Sequence, residues 1–198
     1  MRERSPVRRL VLCALLASGA LVLSYVESLF PLPLPLPGAR LGLGNAMVLL
    51  ALLLFGLREA AGVLATKVLL SALLFGTPLS LAYAAVGGAL SLSAMALLNG
   101  RGSVTPIGQS VAGAVLHNAG QVLVATVITA TPELLYYFTP LGLLGVLTGG
   151  LSGVAAKLCL DGVREAEPCL YFNVTTMYSW ADRSRTYYCT IGGHNFYL

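Results

Sequence analysis

The chain has 198 residues and a formal net charge of +4, and 57% of its residues are hydrophobic while only 10% are charged. Soluble domains average about 45–50% apolar and about 25% charged residues, so this composition favours a protein solvated by lipid. The length allows about six spans of roughly 20 residues and no second large domain. The basic residues form no patch with interleaved aromatics, which argues against a nucleic-acid partner.

Six apolar runs follow one another, separated by Gly, Pro or charged residues. They predict an all-α membrane protein with six transmembrane helices. We expect a cytoplasmic N-terminal segment at 1–8, a six-helix membrane domain at 9–160 and a cytoplasmic tail of uncertain order at 161–198. The tail has neither a helical nor a strand period. The runs lie at about 9–30, 44–58, 60–76, 79–98, 107–131 and 138–160.

The orientation follows from the Lys and Arg residues near the ends of the runs. If the N terminus is inside, nearly all of them lie on the cytoplasmic side; only Arg40 falls outside, and Lys67 lies within a span. We therefore predict that both termini are cytoplasmic, in the inner membrane of a bacterial cell. The first run also resembles a signal peptide, but five further runs favour a retained span.

The second and third runs are divided only by a short charged segment. Arg58 and Glu59 stand side by side there, and a charged pair inside the bilayer would be costly, so we predict a tight turn at this point. In the sixth run a glycine recurs every fourth residue, which predicts close helix packing within the protein. These glycines are Gly145, Gly149 and Gly153.

Small residues form a stripe along the first run. Because small side chains let helix backbones approach closely, the stripe predicts either internal packing or docking to a partner subunit, and the sequence favours neither. The stripe consists of Cys13, Ala17, Ala20 and Ser24, with Ala14 and Ser18 beside it. The four cysteines form no CxxC pair, and we predict no metal site, no disulfide framework and no cofactor.

Alternating prolines at 31, 33, 35 and 37 follow the first run. They exclude a helix, because each proline lacks a donor and clashes with the preceding turn. Extended backbone near membrane depth needs protein cover or a cavity, so we predict a folded lid. Asn45 is then the predicted N-cap of the second span. Free N–H groups there, with Arg40, would form an anion site; the alternative is that Arg40 reaches lipid phosphate.

Ionisable and polar residues also lie inside the predicted spans. A charge within the membrane costs about 2.5–3.5 kcal/mol on insertion scales, so Lys67 should either pair with Glu27 or face a polar cavity. In the fifth run His117 and Gln121 share a helix face and Asn118 stands beside them. This cluster predicts either contacts between helices or a pocket wall.

Five stretches of the sequence resemble the Gx transporter family, whose members are also described as heptaprenyl diphosphate synthase component I. The resemblance covers about residues 10–160 and leaves out the tail. The stretches are Val26–Pro33, Pro37–Asn45, Phe55–Ala60, Ser71–Gly76 and Ser110–Gln121.

That family is similar in turn to the substrate-binding S components of energy-coupling factor (ECF) transporters. The resemblance implies six helices, a first external loop that helps to close a substrate pocket, and a transmembrane coupling subunit driven by paired ATPases. It implies partner docking through small residues of the first helix, although their spacing is not a clean Ala-xxx-Ala pair. The matching residues are Ala14, Ala17, Ser18 and Ala20.

We do not expect this chain to be an enzyme. Prenyl diphosphate synthases hold Mg²⁺ against a diphosphate with clustered aspartates, because hard cations prefer oxygen ligands. Residues 9–160 contain only Glu27, Glu59 and Glu133 as acids. No nucleotide-binding P-loop is present, so any ATP would be used by a partner.

The sequence thus predicts an S-component-like protein that binds a small anionic or amphipathic metabolite from outside and delivers it inward. Its expected partners are this substrate, a coupling subunit, ATPase subunits and the lipid bilayer. The alternatives are a membrane accessory subunit in polyprenyl diphosphate or quinone metabolism and a structural subunit of an electron-transfer complex. The predicted substrate-binding residues are Glu27, Arg40, Asn45, Lys67, His117, Asn118 and Gln121.

Overall fold

The computed structural model describes residues 6–29, 42–99, 104–175, 188–191 and 194–197, with side-chain surroundings up to residue 163. The predicted proline-rich lid and Arg40 lie outside these residues. The chain divides into two compact units, residues 1–156 and 157–198.

The described part of the chain is almost wholly helical. A short 3₁₀ helix, Pro132–Tyr137, precedes the last of six α-helices. The α-helices are α1 (Pro6–Leu29), α2 (Asn45–Phe55), α3 (Leu57–Phe75), α4 (Pro78–Asn99), α5 (Pro106–Thr129) and α6 (Phe138–Thr175).

Four described segments are long and apolar enough to cross a membrane. They confirm the prediction of an α-helical membrane protein, while the six-span count and the orientation stay predictions. Helix α2 has 11 residues, about 16 Å, against about 30 Å of hydrocarbon. Helix α3 has 19 residues but contains Arg58, Glu59 and Lys67. The four segments are Val7–Leu29, Pro78–Asn99, Pro106–Thr129 and Pro132–Val163.

The corner between α2 and α3 lies at Gly56, whose φ of 100° favours glycine. The prediction of two helices is confirmed, but placing the turn at Arg58 and Glu59 was wrong, because both belong to the first turn of α3. The guanidinium of Arg9 donates to the Phe55 carbonyl at 3.1 Å and lies 3.1 Å from the Glu59 carboxylate. The start of α1 is thereby fixed to this corner.

At the other end of α1, an aromatic contact joins it to α3. The Tyr25 and Phe75 rings meet edge to face, with their centroids 5.4 Å apart. Since Arg9 and Glu59 are early in their helices and Tyr25 and Phe75 are late, α1 and α3 run in the same direction.

Glycines allow close helix contacts in the first unit. Helices α4 and α5 approach at Gly87 and Gly120, where a Cβ atom on Gly120 would lie 2.8 Å from the Gly87 Cα. The glycine face of α6 packs on α5 in the same way, so its predicted role in internal packing is confirmed. A Cβ atom would lie 2.8 Å from Asn118 Nδ2 at Gly145, 2.7 Å from Val111 Cα at Gly149 and 2.8 Å from Ile107 Cα at Gly153.

The second unit has more regular structure than the sequence predicts. Helix α6 continues to Thr175, and two strands, Tyr188–Ile191 and His194–Tyr197, pair antiparallel with Tyr188 opposite Tyr197. Glu, Ala and Arg at 164–167 are good helix formers, and Tyr, Thr, Ile and Phe favour strands. Propensity accounts for the helix as far as Glu167, whereas Pro168 and most of the residues after it do not favour a helix.

Candidate functional site

Polar side chains from four helices meet at a small cavity in the first unit. Its volume is about 20 Å³, and a single water needs about 10–15 Å³. Any larger ligand therefore requires side chains or helices to move. Ten residues line it: Ser24 and Glu27 of α1, Gly42 before α2, Lys67 and Ser71 of α3, Ser80, Tyr83 and Ala84 of α4, and His117 and Gln121 of α5.

Lys67 is the buried cation of this cavity, and only 7% of its surface is exposed. Its ammonium group donates to Asn45 Oδ1 at 2.8 Å. The Asn45 amide nitrogen in turn donates to Ser91 Oγ at 3.5 Å, a long contact. Helices α2, α3 and α4 thus position the ammonium together.

Asn45 is the first residue of α2, and the predicted N-cap role was wrong: Gly44 occupies that position and no side chain caps it. The Asn45 N–H donates to the Gly42 carbonyl at 2.8 Å, and the Ala46 N–H donates to the Leu43 carbonyl at 3.1 Å. The Leu43 N–H donates to the Glu27 carboxylate. The anion at this helix start is therefore a side chain of the protein itself.

The turn before α2 is wedged between α1 and α5. Gly42 has a φ of 83°, and a Cβ atom there would lie 3.0 Å from His117 Cδ2. At Gly44 a Cβ atom would lie 2.8 Å from both the Ala20 carbonyl oxygen and Ser24 Oγ. Only glycine allows the backbone to pass this close to the cavity.

His117 and Gln121 bring two further polar groups to the cavity wall, as their shared helix face predicts. The Gln121 amide nitrogen lies 2.7 Å from His117 Nε2. An amide nitrogen only donates, so Nε2 accepts and the imidazole is neutral with its proton on Nδ1.

The sequence model of a family described as Heptaprenyl diphosphate synthase component I matches residues 16–159. The chain belongs to the heptaprenyl diphosphate synthase component I family. The match confirms the resemblance drawn from the sequence motifs, and it includes every residue that lines the cavity. Comparisons with curated proteins and with solved structures give no match.

Not every predicted binding residue reaches the cavity of this component I family member. Asn118 donates to the Leu141 carbonyl at 2.7 Å and lies against Gly145, so it joins α5 to α6. Arg40 falls outside the described residues. Glu27, Lys67, His117 and Gln121 line the cavity, and Asn45 supports it through Lys67.

The small residues of α1 face in two directions. Ala17 and Ala20 are buried against the protein, whereas Ala14 and Ser18 are exposed. Ser18 Oγ donates to the Leu15 carbonyl at 2.8 Å within its own helix. Of the four predicted docking residues, Ala14 and Ser18 are therefore the two that are exposed and could contact a partner.

Four hydroxyl-bearing residues of the cavity were not predicted from the sequence of this component I family member. Helix spacing could have indicated two of them, because residues three or four apart share a helix face. Ser71 follows Lys67 by four residues, and Ser24 precedes Glu27 by three. Serine is too common in membrane helices for spacing alone to single it out. The four residues are Ser24, Ser71, Ser80 and Tyr83.

Proposed function

We propose that this component I family member is a membrane-embedded binding subunit for a small polar or amphipathic ligand, and that it has no catalytic activity of its own. The observation that supports it is the placement of Lys67, a buried ammonium that borders a polar cavity among apolar helices. Such a charge is costly in a membrane, and a cavity beside it favours a binding role over a scaffold role.

The small number of carboxylates in the described cavity wall supports a non-catalytic role. Synthesis of a prenyl diphosphate requires several oxygen ligands for Mg²⁺. Among the described residues, Glu27 is the one carboxylate in the cavity wall, and it accepts the Leu43 N–H. Any chemistry would then take place on a partner protein.

Two settings are compatible with this binding role. The family description favours an accessory membrane subunit that presents or retains a ligand beside a soluble prenyl diphosphate synthase. The polar cavity favours an S-component-like uptake protein that delivers its ligand with a coupling subunit and ATPases. Both settings place six helices in a bacterial inner membrane with both termini in the cytoplasm.

Mass spectrometry of small molecules that co-purify with the protein tests the binding role. We expect one molecule to be enriched with the wild type and lost from Lys67→Met. The matched control is Lys157→Met, because Lys157 is an exposed lysine. Equal amounts of that molecule in all three preparations would reject a site at Lys67.

The proteins recovered after cross-linking in native membranes separate the two settings. A soluble prenyl diphosphate synthase among the cross-linked partners supports the accessory role. Recovery of an ATPase with a transmembrane coupling subunit supports uptake.

A further inference from the structure

The described cavity wall contains one negative and one positive charge. Glu27 and Lys67 both line it, while the imidazole of His117 is neutral because its Nε2 accepts from Gln121. The net charge of these wall residues is therefore zero.

The serine hydroxyl groups of the wall differ in whether they already have a hydrogen-bond partner within the protein. Ser71 Oγ donates to the Val68 carbonyl at 3.1 Å, and Ser80 Oγ donates to the Thr77 carbonyl at 2.8 Å. Both hydroxyls thus already use their protons. Ser24 Oγ is different, because it has no hydrogen-bond partner among the described residues although Ser24 is only 1% exposed.

A buried hydroxyl without a partner is unfavourable, so a bound molecule gains from a hydrogen bond to Ser24. It lies at the inner side of the turn, where a Cβ atom on Gly44 would be 2.8 Å from its Oγ. The same hypothetical Cβ atom would be 2.9 Å from Lys67 Cε. Ser24 and Lys67 thus both pack closely on Gly44, and both line the small volume of the cavity.

Charge balance decides which class of molecule suits this volume. A neutral or zwitterionic molecule keeps the bundle neutral, whereas an anion would place a second negative charge near Glu27 in a medium of low dielectric. A diphosphate has several negative charges, and the described wall offers one ammonium against them.

Resting on the binding function proposed above, we propose that this cavity takes a ligand of zero net charge whose hydroxyl, carbonyl or amide group bonds to Ser24, and that a diphosphate group is not its ligand. The class includes uncharged alcohols, amides and zwitterions small enough, or with a polar end small enough, to replace water beside Ser24. The proposed ligand chemistry thus differs from that of the diphosphate named in the family's description.

The test combines the identity of the co-purified molecule with two serine variants. We expect an uncharged or zwitterionic molecule, with occupancy about threefold to tenfold lower in Ser24→Ala. Ser93→Ala is the matched control, because Ser93 is exposed on α4 and its Oγ donates to the Ala89 carbonyl at 2.8 Å within the same helix. Equal occupancy in both variants would overturn the role of Ser24.

Inorganic diphosphate provides an independent probe of the same claim. We expect millimolar diphosphate to leave the melting temperature of the purified protein unchanged. A rise that disappears in Lys67→Met, or a co-purified anion whose retention needs Lys67, would overturn the neutral-ligand claim and leave the binding function standing. If no small molecule co-purifies at all, the binding function fails and this claim fails with it.

Discussion

At the residue scale, the opposite charges of Glu27 and Lys67 should determine how stable the cavity wall is. Lys67→Met removes the donor to Asn45 Oδ1 and leaves the Glu27 carboxylate without the cation of the described wall. We expect the free energy of unfolding to fall by about 1–3 kcal/mol. Adding Glu27→Gln should recover part of it, because the wall is neutral again.

Thermal unfolding of both single variants and the double variant in one detergent measures this coupling. A double variant no more stable than Lys67→Met would show that the two charges do not affect each other.

Gly42 is the residue whose backbone brings the turn to His117. Gly42→Ala should lower the free energy of unfolding by at least about 1–2 kcal/mol, because an L-residue is strained at a φ of 83°. The new Cβ atom would also lie 3.0 Å from the imidazole. Denaturant unfolding against the wild type gives the size of the loss.

Gly62 is the matched control, since no described neighbour lies within 4 Å of a Cβ atom there. Gly62→Ala, in the interior of α3, should stabilise the helix by about 0.5–1 kcal/mol. Equal effects of the two substitutions would contradict a special role for the turn.

Polar residues whose burial is costly are the ones that a sequence singles out most readily, although their role in binding stays a prediction. Lys67, His117 and Gln121 are conspicuous in apolar runs, and all three line the cavity. Asn118 has the same signal, but a helix position next to His117 points toward α6. Packing against the other helices decides which face of α5 meets the cavity. The sequence of α5 alone does not specify that face.

At the element scale, the contact between α5 and α6 depends on one glycine face. Gly149→Ala would place a Cβ atom 2.7 Å from Val111 Cα and force the helices apart. We expect a cost of about 1–3 kcal/mol, typical of overpacking, measurable as a lower melting temperature.

The neighbouring Gly150 offers a control one residue away. No described atom lies within 4 Å of a Cβ atom at that position, so Gly150→Ala should leave the melting temperature unchanged or raise it. A similar loss for both variants would contradict close approach to Val111 as the cause of the effect at Gly149.

Helix α1 presents small residues to two different environments. Ala17→Leu would disturb the interior, because Ala17 is buried, so it does not distinguish docking from packing. Ala14→Leu changes an exposed position. If α1 docks on a partner, this variant should keep its melting temperature and lose co-purification with that partner; unchanged co-purification would argue against docking through Ala14.

The helical elements themselves were largely predictable, whereas their ends were not. Hydrophobic runs are long signals, but a helix end depends on a few local residues. Arg58 and Glu59 suggested a turn by their charge, while Gly56 forms it through its positive φ. Beyond residue 161 the apolar signal stops, yet α6 continues to Thr175 through Pro168, a residue that disfavours a helix interior.

At the scale of the whole molecule, orientation in the membrane is the main prediction. With the four native cysteines replaced, Glu133→Cys should react with a membrane-impermeant maleimide in intact cells, and Ser103→Cys should not. The reason is the cytoplasmic excess of Lys and Arg. Labelling of Ser103→Cys before lysis would contradict a cytoplasmic N terminus.

The short helix α2 also has a consequence for how the protein is made. Eleven residues, ten of them apolar, are too few for a segment to leave the translocon as an independent span. Helix α2 should therefore partition into lipid only together with α3, as a hairpin bent at Gly56. Synthesis would then pass through a stage at which Lys67 is already committed to the bilayer while its neighbours on α4 and α5 are still being translated.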